Sequence, residues 1–373
     1  MSETTQLNPE IMGNVTQLNP ALSDSNATVL NPQISDNISQ IPAIGTILLD
    51  RYEVTERLPM ETGEADLFLC TSEGQTYIAK LYRRKTGIKP EVVDKLKKIN
   101  SPYIAKLYAY GEWQERPLEV MEYFPEGSLS GKKYSVQYMK EYIIPCINEG
   151  LRVLHSFNIL HKDLKPSNIM MRSDGVTFAL IDFGISSVEN DSDVVVTRTG
   201  MTPEYSAPET FRNLFIEESD YYSLGICLCE LFSGATPYQN RSAEEIAQFT
   251  LLQQVPLPKN MPQPLCELIR ALTYPDITHR KELKNPNRRW TYREVRDWCN
   301  DKALPLPGNL TGNVSQKLQY HFLEKSYPSR LELSHAMGRH WEEGKKELFR
   351  GNLSKEFRTV DRSEEHTSEL QSR

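Results

Sequence analysis

The spacing of apolar positions changes period once along the chain, and the change divides it into two parts. Tyr52-Glu-Val-Thr alternates and opens a strand, and residues 66–70 and 75–82 read as two more, with Lys80 near the end of the third. After Pro90, apolar residues at 92, 93, 96 and 99 form a helical stripe over 91–99. Residues 104–108 and 118–121 complete a module of five strands and one helix. Beyond Glu126-Gly-Ser the period is helical. Val136, Met139, Ile143, Ile147, Leu151 and Leu154 share one face, and Pro145 inside that run predicts a kink. Residues 219–232 are apolar nearly all round and predict a buried central helix. Helices over 243–252, 265–272 and 292–299 follow. A sheet module followed by a helical module implies a two-lobed α+β architecture with a cleft between the lobes.

Composition sets the boundaries. The 373 residues carry a net charge of −7, which argues against nucleic acid or an anionic membrane as the main partner. Six cysteines lie mostly far apart; Cys227 and Cys229 fall in an apolar helical run without a second half-site, so core thiols of a reducing, cytoplasmic compartment are expected rather than zinc ligands. The first residues have no basic start and no apolar core, unlike a signal peptide. No run reaches the roughly 20 apolar residues of a membrane span.

Residues 1–45 contain no Lys, Arg or aromatic residue and are expected to be a disordered tail. Within them Thr5-Gln-Leu-Asn-Pro recurs as Thr16-Gln-Leu-Asn-Pro and Thr28-Val-Leu-Asn-Pro. The repeat implies a multivalent docking or phospho-acceptor tail, with equivalent threonines at 5, 16 and 28. At the other end, residues 302–316 form a Pro/Gly/Asn-rich linker. Residues 317–361 form a small helical module, marked by Leu331, Leu333, Ala336, Met337, Trp341, Leu348 and Phe349, in one helix or two short ones stopped by Gly351. Residues 362–373 look like a translated sequencing adapter, which would leave the natural chain cut short, and are set aside.

The chemistry concentrates in His161-Lys-Asp-Leu-Lys-Pro-Ser-Asn168, between a helical run and the apolar residues 178–181 that lead into Asp182-Phe-Gly184. Such a loop can put Asp163 beside a hydroxyl, Lys165 beside a phosphate, and Asn168 with Asp182 around one metal ion. Those are the parts of phosphoryl transfer, where catalysis is mostly positioning and charge placement.

Lys80, His161-x-Asp163-x-Lys165-x-x-Asn168, Asp182-Phe-Gly184 and Ala207-Pro-Glu209 stand in the order and rough spacing of a eukaryotic-type (Hanks-type) protein kinase domain of bacterial-like kind. Asp220 before Ser223 and Gly225, and Arg289 after Asn285-Pro286, extend the resemblance over about 46–301, with a small lobe at 46–124 and a large lobe at 125–301. The resemblance implies ATP and Mg²⁺. Lys80 would hold the α- and β-phosphates, Asn168 and Asp182 the Mg²⁺, Asp163 would act as base, and Lys165 would neutralise the moving γ-phosphoryl group. Met121 would back the adenine slot, Glu122-Tyr123-Phe124 would form its hinge, and Leu58, Ile78 and Met170 its roof and floor. His161 is expected to be a packed histidine supporting Phe183, not an acid–base group. Lys165-Pro166 and Thr202 are similar to the serine/threonine branch, so proteins are the implied substrates. Glu209 with Arg289, and Asp220 at the base of the loop, are expected structural supports.

The pattern departs from the family in four places. Residues 58–67 offer only Gly63 where the family has three glycines to close on phosphates. The helix position expected to pair with Lys80 holds Val92, leaving Glu91 or Asp94 as the nearby carboxylates. Ile78 stands where an alanine is usual. Lys162 replaces an arginine that would grip a phosphorylated activation segment, so activity should depend only weakly on phosphate at Thr197 or Thr199. A scaffold that recruits partners through its repeats is the alternative, motivated by the poor phosphate loop. A small-molecule phosphotransferase is a third reading, opposed by Ala207-Pro-Glu209 and a full activation segment.

Overall fold

In a computed structural model of the chain, the residues described are 41–59, 65–83, 87–184, 187–188, 202–252, 254–308, 320–323, 325–327 and 330–349. The chain divides into Met1–Ala43 and Ile44–Arg373. The Thr-x-Leu-Asn-Pro repeats, Gly63, Thr197, Thr199 and the final dozen residues lie outside the described residues.

The small lobe is an antiparallel sheet in the order β1-β2-β3-β4-β6-β5, built from β1 (Ile47–Leu48), β2 (Tyr52–Arg57), β3 (Ala65–Ser72), β4 (Gln75–Tyr82), β5 (Leu107–Trp113) and β6 (Arg116–Glu122). Alternation sorts its two faces. Tyr77, Ala79 and Leu81 of β4 join Leu118 and Val120 of β6 in one core with Tyr52, Val54 and Phe68. Ile78, Lys80, Tyr82, Glu119 and Met121 take the opposite face, which fronts the large lobe. The sheet has six strands rather than the expected five, because Ile47 and Leu48 pair with Glu53 and Tyr52.

One strand and one helix differ from expectation. The strand expected at 104–108 begins at Leu107. Ala105 N–H instead donates to Leu180 of the large lobe (2.9 Å), and Leu180 N–H donates to Tyr103 (2.9 Å), so this stretch joins the lobes. Helix α1 (Pro90–Leu96) opens on Pro90 and turns Val92, Val93 and Leu96 inward, ending three residues before the apolar stripe does.

The large lobe begins with α2 (Val136–Tyr138), a π-helical turn at Met139–Ile143, and α3 (Ile144–Ser156). Ser135 Oγ accepts from Tyr138 N–H and caps the start. Pro145 has no N–H for the preceding turn, and the bonding widens just before it. The expected kink is therefore a π-turn. The strands β7 (Ile159–Leu160), β8 (Ile169–Met171), β9 (Phe178–Leu180) and β10 (Ser187–Val188) pair as β7 with β10 and β8 with β9. Helix α4 (Glu217–Ser233) is buried along most of its length, as its apolar composition predicts. Gly225 lets the chain at Leu272 and Thr273 approach it: a Cβ there would lie 2.8 Å from Thr273 Cγ2. Against it pack α5 (Ala243–Leu252) and α6 (Gln263–Leu272), while α7 (Tyr292–Cys299) packs on α3.

The C-terminal module holds more than helices. A hairpin of β11 (Tyr320–Phe322) and β12 (Lys325–Tyr327) precedes α8 (Arg330–Arg339) and α9 (Trp341–Phe349). Phe322, Leu333, Ala336 and Met337 give it a small core of its own. Short, mixed-polarity strands carry little periodicity, so the hairpin was invisible in the apolar pattern. Among the described residues no helix is long and apolar enough to cross a membrane.

One buried ion pair ties the large lobe together across 80 residues. Arg289 donates to Glu209 Oε1 (2.6 Å) and Oε2 (3.1 Å), to Glu218 C=O (3.0 Å) and to Tyr274 C=O (2.8 Å). The Arg289 side chain is fully buried and Glu209 nearly so. Removing one partner strands a charge in the interior. Arg289→Met is therefore expected to lower stability by about 3–5 kcal/mol in urea denaturation, with much of the loss recovered when Glu209→Gln is added.

Candidate active site

The site is assembled from a loop whose backbone is pinned before its side chains are placed. Residues 161–165 connect β7 to a short 3₁₀ turn at Pro166–Asn168. Asp220, in the first turn of α4, accepts the N–H of Lys162 at Oδ1 (2.9 Å) and of His161 at Oδ2 (3.0 Å), and its Oδ2 also meets His155 Nε2 (2.8 Å). This bonding holds Lys162 at φ +70°, in the left-handed region. Burial alone would raise the pKa of Asp220. The bond to His155, the nearby imidazoles and the loop N–H of Lys162 outweigh it and hold the carboxyl below its ordinary 3.8. His161 packs its ring 5.6 Å from that of Phe183 and is fully buried, the packing role expected of it.

On this frame Asp163, Lys165 and Thr202 form a closed triangle. Lys165 Nζ lies 2.7 Å from Asp163 Oδ2 and donates to Thr202 Oγ1 (2.8 Å), which donates to Asp163 Oδ1 (2.8 Å). Asn168 spends its amide N–H groups on Asp163, at the backbone carbonyl (2.8 Å) and at Oδ2 (3.1 Å). That leaves Asn168 Oδ1 without a hydrogen bond among the described residues. Ile181 N–H donates to Asn168 C=O (3.0 Å), so the β8–β9 pairing brings Asp182 beside Asn168. Asp182 has φ +66° and receives Lys80 Nζ on Oδ1 at 2.6 Å. Burial would raise its pKa, but the Lys80 ammonium beside it holds it below the ordinary carboxylate value. One amide oxygen and one ionised carboxylate are hard donors that suit Mg²⁺, which keeps several of its waters.

The remaining candidates sort by register. Ile78 and Met121 are cross-strand partners, and both are half-buried on the cleft face. Leu58, just past β2, hydrogen-bonds through its N–H to Leu67 C=O (2.9 Å) and is half-buried. Met170 of β8 packs against the Phe124, Ala105 and Ala179 cluster. Phe124 thus sends its ring into the core beside Met170. Glu122 N–H already donates to Lys106 C=O (3.0 Å), and the Glu122 carboxylate is held by the Arg172 guanidinium. The hinge carboxylate is therefore a brace between lobes, a partnership that nothing in the spacing of the sequence suggested.

The expected partner of Lys80 needs correction. Glu91 and Asp94 are both exposed on α1 and make no ion pair with a described residue. Val92 occupies the inward position, packed in the core. Among the described residues the carboxylates near Lys80 are Asp182 and Glu119 of β6, the latter with Oε1 at 3.9 Å. Glu119 is almost wholly buried and accepts from Tyr82 O–H at 2.6 Å. One signal was available in the sequence: Glu119 stands inside an apolar strand at a cleft-facing position.

Comparison with known proteins bears on the same stretch. The family model described as protein kinase domain matches residues 69–295. The chain is similar to calcium-dependent protein kinase 6 of Plasmodium berghei (30% identical over 200 residues, covering 51% of this chain and 13% of that protein). It is similar to cGMP-dependent protein kinase 2 of Mus musculus (26% over 294 residues, 72% and 37%). It also resembles a probable cell cycle serine/threonine-protein kinase, CDC5 homolog, of Encephalitozoon cuniculi (30% over 245 residues, 58% and 50%). The chain spans half or less of the length of each of these relatives.

The pinning of the loop by Asp220 has a pH signature. A carboxylate whose pKa is depressed on folding contributes its full stability above its unfolded value, near 3.9, and loses it as pH falls through the lower folded value. Asp220→Asn is expected to be less stable than wild type at pH 7. The gap should narrow progressively below about pH 4, read as urea midpoints across a pH series.

Proposed function

The chain belongs to the protein kinase family, and we propose that it acts as an ATP- and Mg²⁺-dependent serine/threonine kinase, transferring the γ-phosphoryl group to hydroxyls of proteins, itself included. The observation that carries this reading is the Asp163–Lys165–Thr202 triangle with Asn168 bonded to its carboxylate. In that arrangement Asp163 is the base that orients and deprotonates the acceptor hydroxyl. Lys165, already facing the same carboxylate, offsets charge on the transferring group. Lys80 holds the α- and β-phosphates from the sheet side. Asn168 Oδ1 and Asp182 would hold Mg²⁺, which would supply positive charge to offset that of the phosphates. Leu58, Ile78, Met121 and Met170 enclose the base, against backbone groups of residues 122–124.

In this reading residues 46–301 are the catalytic domain, 302–316 its linker, and 317–361 an appended module. The three repeats of the first 45 residues serve as docking or phospho-acceptor sites for a partner. A reducing, cytoplasmic setting is supported by six cysteines, none in a disulfide and five of them buried.

Lys162 bears on regulation. It is nearly buried, with Nζ 4.6 Å from the centre of the Phe215 ring and no hydrogen-bond acceptor among the described residues. Burial first, and then the neighbouring Lys89, push its pKa down to about 8. A buried ammonium turned toward an aromatic ring, lacking the planar fork of arginine, is a poor grip for an activation-segment phosphate.

Two measurements test the reading. With labelled ATP, Mg²⁺ and a generic protein substrate, Asp163→Ala is expected to lose about 10²–10⁴-fold in kcat. Equal signals from the variant and wild type would leave a scaffold in place of an enzyme. In the same assay the Thr197→Ala/Thr199→Ala double variant should keep most of its activity, and a loss approaching that of Asp163→Ala would count against the role given to Lys162.

A further inference from the structure

We propose that Glu119, carried by strand β6, is the positioning residue that holds Lys80 in place for the nucleotide, and that helix α1 takes no part in this. The proposal rests on the kinase reading above. Its basis is the strand register. Lys80 and Glu119 are directly paired residues of the antiparallel β4–β6 ladder. Such pairs put their Cβ atoms about 4.5–5.5 Å apart on one face. The ammonium and the carboxylate are thus neighbours by construction, with Nζ 3.9 Å from Oε1.

Both groups are almost completely withdrawn from water, with side-chain exposures of 9% for Lys80 and 2% for Glu119. A carboxylate this deep needs partners, and it has two kinds. Tyr82, two residues beyond Lys80 on the same strand face, donates its hydroxyl to Oε1 at 2.6 Å. The ring of Tyr82 lies 4.9 Å from Lys80 Nζ, so one tyrosine touches both members of the pair. Asp182 closes the cluster from the large lobe, 2.6 Å from the ammonium. Lys80 therefore sits between a carboxylate fixed in the sheet and one belonging to the other lobe.

Helix α1 has nothing to offer at this point. Its inward residues Val92, Val93 and Leu96 are apolar and buried, and its two acids face outward. A carboxylate on a seven-residue helix would reach the lysine only when the helix sat in one position. A carboxylate on β6 stays beside it for as long as the sheet exists. Placement of the lysine is consequently built in and does not wait on helix movement.

Glu119→Gln separates positioning from packing, because the amide keeps the shape and still accepts from Tyr82 while losing the charge. Expected is a fall in kcat on the order of 10²-fold, the scale of a displacement of about 1 Å at a reacting group. The change in KM for ATP should be smaller, and the melting temperature should be close to wild type. Glu119→Asp, which keeps the charge but sets it one methylene back, should fall between the two. The Glu91→Ala/Asp94→Ala variant should match wild type. A folded Glu119→Gln protein with wild-type kcat overturns the proposal. So does a comparable loss in the Glu91→Ala/Asp94→Ala variant. If Glu119→Gln does not fold, wild-type kcat in Glu119→Asp overturns it equally.

Failure of the kinase reading would look different: wild type and Asp163→Ala would be equally inactive. The same variants are then compared by calorimetric affinity for ATP with Mg²⁺. Weaker binding in Glu119→Gln and none lost in Glu91→Ala/Asp94→Ala supports the proposal, and the reverse overturns it.

Discussion

A single ammonium group spans the two lobes. Lys80 belongs to the sheet, Asp182 to the helical lobe, and 2.6 Å separates their charged atoms across 102 residues of sequence. Lys80 is buried and Asp182 half-buried, so the attraction is screened less than a surface pair would be. The cleft geometry depends on it: the strand face bearing Ile78 and Met121 and the loop bearing Asp163 and Asn168 are brought together at the place where these two residues meet. Two further connections reinforce the contact, the backbone bonds of Leu180 with Ala105 and Tyr103 and the Arg172 brace on Glu122.

Everything on the large-lobe side of that contact is held by buried carboxylates acting as backbone or guanidinium acceptors. Asp220 holds the loop from below, and Glu209 with Arg289 locks the segment that follows Thr202. Neither carboxylate is at the triangle, yet each removes freedom from a residue next to it. The left-handed backbone at Lys162 and Asp182 is tolerated because hydrogen bonds on either side over-determine it. Stability and chemistry are thus coupled through the loop: loosening Asp220 would let His161 and Lys162 relax toward ordinary backbone angles and carry Asp163 with them.

Much of this was legible in the residues. The central helix follows from a run that is apolar nearly all round, and the strand bearing Lys80 and the helices of residues 243–252 and 292–299 from the spacing of their apolar positions. Asp163, Lys165, Asn168 and Asp182 were legible because their spacing is dictated by the chemistry they would share. What was not legible depended on contacts distant in sequence. Residues 104–108 have the composition of a strand, but their first members bond to Leu180, some 75 residues on, and are lost to the sheet. The helix carboxylate was sought near Lys80 by counting along the chain, whereas the nearest sheet carboxylate lies across a ladder, 39 residues away. Register between strands is set by packing and turn geometry, and no local count reveals it. The hairpin of residues 320–327 escaped for a plainer reason: three-residue strands carry too few alternations to register.

The departures in the small lobe are connected. The sequence of residues 58–67 has one glycine, and so fewer positions at which a backbone could approach the phosphates of the proposed function freely. Under the proposed function more of the phosphate charge would then fall to Lys80. A lysine carrying that share must be well placed, since a long flexible side chain loses considerable rotamer freedom when it is fixed. The cluster of Glu119, Tyr82 and Asp182 restricts that freedom before any ligand arrives, and two of its three members come from paired strands. In this proposal the sheet itself would place the lysine, through the paired strands that carry Glu119 and Tyr82. A site organised this way would have a lysine whose position is a property of the fold.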